Sequence, residues 1–128
     1  MYYNSHRKLN VWKESITLGK VVYKLQQSFP KSEMYGLCDQ LRRAVVSISA
    51  NIAEGNARQY DKDRARFFNI ALSSLAEVDS LLAVAVELDY LQKTPEGAIL
   101  NPAEGEPVLG IEEQCELISK MLCGLIRA

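Results

Sequence analysis

Residues 42–55 read Arg-Arg-Ala-Val-Val-Ser-Ile-Ser-Ala-Asn-Ile-Ala-Glu-Gly. Counted from Leu41, Ala44, Val45, Ile48 and Ile52 fall at +3, +4, +7 and +11, a period that paints one face of a helix. A second row runs beside the first: Gln40, Arg43, Ser47, Asn51 and Glu54 at 0, +3, +7, +11 and +14. Solvated helix faces are usually rich in Lys and Glu. This one carries short side chains that let another backbone approach, so it reads as a surface for a partner helix. Gly55 is expected to stop the helix in a left-handed conformation.

Three more amphipathic segments surround it. One spans about Asn10 to Ser28, with Asn10 as N-cap, Val11, Leu18, Val22 and Leu25 inward, and Phe29-Pro30 as the stop. The central helix itself covers Glu33 or Leu37 to Glu54. The next starts with Asp61 as N-cap and runs to about Leu91, burying Phe68, Leu72, Leu75, Leu82 and Val86 on an arc wide enough to need more than one neighbour. It repeats the polar row: Arg66, Asn69, Ser73, Glu77 and Ser80 share the spacing of the row before it. The last runs from Ile111 to Ile126, with Glu112, Glu113 and Glu116 near its positive end. Between these two, residues 92–110 hold three prolines and three glycines and read as a long exposed loop, with one turn begun by Asn101-Pro102. Nothing reads as a strand, and residues 1–8 read as a loose N-terminus. The expected architecture is all-α, one up-down-up-down four-helix bundle domain over residues 1–128.

Composition fits a globular chain: 128 residues, 48% hydrophobic and 24% charged. No uninterrupted apolar run approaches the roughly 18 residues that span a bilayer, and the start lacks a signal-peptide core, so the expectation is a cytoplasmic protein with no membrane partner. The net charge of −1 hides a split. Residues 1–66 hold twelve Lys/Arg against six Asp/Glu, while residues 67–128 hold three against ten. Such a split marks a nucleic-acid-facing half or two complementary surfaces that meet between subunits, unless antiparallel packing cancels it.

Chemistry is sparse. Cys38, Cys115 and Cys123 are widely spaced in helical patterns and read as small reduced hydrophobes. His6 is the only histidine, so no metal cluster, di-iron motif or nucleophile–base pair is expected. Gly36, Gly55 and Gly97 are isolated, so no phosphate-binding loop and no cofactor is expected. Were the two polar rows to face each other, Arg43, Asn51, Glu54, Arg66, Asn69 and Glu77 could form one network, with Ser47 and Ser73 between them. A structural or interface role is the ordinary reading of that set, and a ligand or catalytic site on Glu54 and Glu77 the rarer one. The turn between the two rows offers Arg58, Tyr60, Lys62 and Arg64 as candidate nucleic-acid contacts, charges for phosphates and a ring for a base.

Several segments resemble the four-helix bundle family named for open reading frames in intervening sequences of 23S ribosomal RNA genes, the S23 proteins. They are Val11-Trp12-Lys13, Val22-Tyr23-Lys24, Phe29-Pro30 with Glu33, Gly36-Leu37 and Gln40, Arg42-Arg43-Ala44, Asn51 through Gly55, Asp63, Arg66-Phe67, Ala71, Ser74-Leu75 and Glu77. Ser49 stands where many relatives have proline and Ser73 where many have glycine. The resemblance implies a ring-like homopentamer without established enzymatic activity, similar to the accessory variability proteins of diversity-generating retroelements, which bind a reverse transcriptase and nucleic acid. The functional expectation is a non-enzymatic homo-oligomeric adaptor or scaffold, with itself and another protein as partners. The alternative is an RNA- or DNA-binding accessory protein with a basic rim.

Overall fold

The computed structural model describes residues 3–95, 97–101, 106–108 and 110–128, with residues 100, 101 and 106–108 described by their backbone. Four helices form the bundle: α1 (Asn10–Gln26), α2 (Leu37–Ala57), α3 (Asp61–Glu87) and α4 (Ile111–Arg127). Each helix packs on two neighbours, α1 on α2 and α4, and α3 on α2 and α4. The core is the set of apolar stripes turned inward, and Leu18, Ile48, Ile52, Phe68, Val78, Ile118 and Leu122 are almost wholly shielded from solvent. The apolar periodicity of the chain therefore places the helices and their faces. Their ends follow other rules.

Gly55 does not stop α2. The helix continues to Ala57, and Gly55 lacks the positive φ of a left-handed cap. Its missing side chain serves a close approach instead. A Cβ there would lie 2.7 Å from Cε1 and 2.8 Å from Cδ1 of Phe68, and 3.1 Å from the Arg64 carbonyl oxygen. Asn10 and Asp61 are not N-caps either. Both are the first residues inside their helices, and the preceding Leu9 and Tyr60 hold extended backbone with no side-chain cap. α3 ends at Glu87, short of Leu91, because Asp89 takes φ 62°. The Tyr90 N–H then donates to the Ala85 carbonyl at 2.9 Å and the Asp89 N–H to the Val86 carbonyl at 3.0 Å. This is a Schellman closure with aspartate, one of the few L-residues that tolerate the left-handed region, in the place usually held by glycine.

The loop expected over residues 92–110 contains a small antiparallel sheet of β1 (Gln92–Lys93), β2 (Ile99–Asn101) and β3 (Glu106–Val108). Lys93 pairs with Ile99, and Ile99 with Val108. Strands this short are too brief to carry a readable alternation. Ile99 and Leu91 are buried against the helices, so the sheet is a lid on the α3–α4 end of the core. The turn expected at Asn101-Pro102 lies, beyond Asn101, outside the described residues.

The N-terminus is not loose throughout. Ser5–Lys8 form a 3₁₀ turn, His6 meets Trp12 edge-on with ring centres 5.2 Å apart, and the Asn56 amide donates to Ser5 Oγ at 2.7 Å. α3 bears on the membrane expectation without overturning it. By length and composition it could cross a bilayer: an 18-residue stretch has mean hydropathy 1.5, although Glu77 and Asp79 interrupt it. Only 33% of that stretch is buried here.

Replacing Gly55 by alanine gains helix propensity worth up to about 1 kcal/mol. It also forces the Phe68 ring or the α3 backbone to move, an overpacking cost of about 1–3 kcal/mol. Overpacking should win, and Gly55→Ala should lower the urea midpoint. A raised midpoint would show that α3 shifts freely and that the contact sets nothing.

Candidate functional site

Two observations fix how α2 and α3 meet. Ser47 and Ser74 hydroxyls lie 2.8 Å apart across the pair, and Phe68 covers Gly55. With this antiparallel register the two polar rows run level with each other, Arg43 near Glu77, Ser47 near Ser73 and Ser74, Asn51 near Asn69, and Glu54 near Arg66. The members nevertheless bond within their own helices. Asn51 donates to the Ser47 carbonyl at 2.8 Å and to Ser47 Oγ at 3.0 Å, and Asn69 donates to the Ala65 carbonyl at 3.0 Å. Arg43 pairs with Asp39 at 3.2 Å, and Glu54 with Arg58 at 2.9 Å. Ser73, Glu77 and Arg66 are exposed. The bond that crosses between helices goes through Ser74 rather than Ser73. Ser74 was legible only as part of the family resemblance, because it lies one position off the row.

Glu54 and Glu77 are not a catalytic pair. In this register they stand about eleven residues apart along the helices, roughly 16 Å at 1.5 Å per residue. That is too far for two carboxylates to share one reacting atom. Among the described residues no group of His, Cys, Asp or Glu is arranged to hold a metal ion.

The α2–α3 turn uses most of its cations internally. Arg64 Nη1 donates to the Asn56 carbonyl at 3.0 Å and the Arg58 carbonyl at 3.3 Å, closing the turn, and the guanidinium lies 5.8 Å from the Phe68 ring centre. Arg58 and Arg66 both lie over Phe67, at 4.7 and 5.1 Å, so the ring is sandwiched between guanidiniums. Tyr60, 68% exposed, and the exposed Lys62 project from the turn without ion pairs or side-chain hydrogen bonds among the described residues.

At the opposite end, Glu33 organises the start of α2. Its carboxylate accepts the Leu37 N–H at 3.3 Å and the Tyr90 hydroxyl at 2.9 Å, and a side chain on Gly36 would lie 2.8 Å from it. That hydrogen bond, more than burial or the nearby negative charge, holds the Tyr90 phenol above its ordinary pKa. Phe29 packs against Tyr90 with ring centres 5.4 Å apart. The spacing Phe29-Pro30, Glu33, Gly36-Leu37 thus has a mechanical meaning that no sequence rule for N-caps captures, since the cap lies four residues before the amide it satisfies.

A concave surface lies between α3, α4 and the sheet. Two adjoining cavities of about 240 and 410 Å³ share Asp79, Glu112 and Cys115. Lys93 of β1 pairs with Glu112 at 3.1 Å on its margin.

A profile of 23S rRNA-intervening sequence proteins matches residues 7–124. The chain belongs to that family. Among solved structures, it is similar to a protein of unknown function from the S23 ribosomal protein family of Bacteroides thetaiotaomicron. The two are 22% identical with a TM-score of 0.69, and the match covers 92% of this chain and 99% of the other. Comparison with curated proteins gives no match. The family match extends past Leu91 through the sheet and α4, farther than the residues of the resemblance reach. In S23 terms, the Phe-Pro…Glu…Gly-Leu segment is the cap of α2, and the Asn51–Gly55 segment is the seat for α3.

Burial, aided by Asp79 and Glu112, pushes the Cys115 thiol from 9.0 to about 11. A pKa raised by folding means a contribution to stability present in full below pH 9 and lost as pH rises through 11. At pH 9 the thiolate fraction falls from about one half to about one hundredth, so Cys115 in the native protein should react with iodoacetamide about fifty-fold more slowly than in the unfolded chain. Peptide mass spectrometry reads this directly, and equal rates would contradict the assignment.

Proposed function

We propose that this S23-family protein is a non-enzymatic scaffold or adaptor that works in the cytoplasm as a ring-shaped homo-oligomer, a pentamer on the pattern the resemblance implies. The observation that carries the reading is the apolar surface left over on α2 and α3. Val46 is 52% exposed, Ile70 40%, Val84 42% and Leu88 49%, and the short side chains of Ala50, Asn69, Ser73, Ala76, Ser80 and Ala83 are exposed on the same two helices, beside the charged Arg43, Glu54, Arg66, Glu77 and Asp79. Apolar surface of this kind, rimmed by short polar side chains, is characteristic of protein interfaces. The level polar rows support the same reading, because Asn51 and Asn69 bond within their own helices and, with Ser47 and Ser73, keep the middle of the rows low enough for a neighbouring backbone.

Light scattering at micromolar concentration should give a multiple of 14.4 kDa, and a mass of 14.4 kDa would contradict the proposal. Glu54→Ala sharpens the test. The Glu54–Arg58 pair is about half exposed, so its loss costs a lone subunit no more than about 1 kcal/mol. A drop in oligomer mass would place the row in the interface, and unchanged mass and melting would return it to the solvated surface. Retention of RNA or DNA by the oligomer at low salt, abolished by Lys62→Glu with Tyr60→Ala, would instead favour the nucleic-acid accessory reading.

A further inference from the structure

The bundle order keeps part of the charge split of the sequence. α1 packs on α2 and α4, and α3 on α2 and α4; α1 carries Lys13, Lys20 and Lys24 against Glu14, α2 is balanced, and the acids gather on α3 beyond Arg66 and on the first turns of α4. α1 presents Lys13, Ile16, Lys20, Tyr23 and Lys24 at 0, +3, +7, +10 and +11, one continuous stripe. All three lysines are exposed, Ile16 is 37% and Tyr23 42% exposed. The one acid of α1, Glu14, is turned to α4, where the Gln114 amide donates to its carboxylate at 3.2 Å.

The α3–α4 side carries a concave surface of opposite charge. The two adjoining cavities form a groove between α3 and α4 with an apolar floor that includes Leu75, Val86 and Ile111. Asp79, Glu87, Glu112 and Glu116 line it. Lys93 and Lys120 pair with Glu112 and Glu116, at 3.1 and 3.3 Å, while Asp79 and Glu87 have no ion-pair partner among the described residues. Along α3 the lining runs from Leu72 to Glu87, about 22 Å, and the lysine stripe of α1 is about 16 Å long.

Resting on the oligomer reading above, we infer that the occupant of the α3–α4 groove is α1 of a second copy, its Ile16 and Tyr23 on the apolar floor and Lys13, Lys20 and Lys24 on the acidic margins. The two surfaces differ, so the contact is head-to-tail, the kind that closes into a ring when the rotation between subunits permits. Attraction between exposed stripes also makes assembly sensitive to salt, with the apolar contacts remaining when the charges are screened.

Charge-reversed variants test this with complementation. One carries Lys13→Glu, Lys20→Glu and Lys24→Glu; the other carries Asp79→Lys, Glu87→Lys and Glu116→Lys. Each alone should lose assembly by light scattering, and an equimolar mixture should regain masses of two subunits or more, because every junction between unlike variants pairs opposite charges; a ring of five would keep one like-charged junction, so the mixture should form open or even-numbered assemblies. Regained assembly also shows that both variants are folded. Variants that remain assembled separately, or mixtures that stay dissociated while circular dichroism shows both folded, would overturn the inference. Wild-type protein at 14.4 kDa would instead remove the oligomer reading beneath it.

Discussion

The seating of α3 on α2 governs the molecule, and it is pinned where the Phe68 ring lies against Gly55 with no room for a methyl group. That contact sets the register of the longest helix pair, brings Ser47 opposite Ser74, and fixes the short turn in which Arg64 binds the carbonyls of Asn56 and Arg58. Once α2 and α3 are joined this way, α1 and α4 can only flank them, each covering one side of the core. Close helix approach is a steric condition, so it acts all at once and tolerates little adjustment.

The consequence for surface chemistry is separation. The lysines of α1 stand on one side of the bundle, and the acids of α3 beyond Arg66 and of the first turns of α4 stand on another. α3 is apolar enough to span a membrane by length and composition, a third of its most apolar stretch is buried, and Ile70 and Val84 within it are exposed. The exposed apolar side chains of α3 and the oppositely charged faces are the features on which the proposed self-assembly rests.

Much of this was legible in the residues. The inward faces of all four helices follow from apolar spacing, and Leu41, Ala44, Val45, Ile48 and Ile52 are buried as their period requires. The ends were less legible because several chemistries can close a helix. Asp89 does the work expected of glycine, Glu33 caps from four residues away, and Gly55, which looks like a stop, is a hole for a ring. The three short strands carry too few residues to show a period. The polar rows were visible as rows, whereas their bonding partners depended on side-chain reach, which spacing does not encode.

The account stands on α3 being covered by another copy of the chain. Hydroxyl-radical footprinting measures that cover side chain by side chain, at concentrations above and below assembly. Ile70, Val84 and Leu88 should be oxidised several-fold more slowly in concentrated protein than in dilute protein, while exposed Tyr35, far along the chain on the approach to α2, changes little. Equal oxidation of all four at both concentrations would contradict the account.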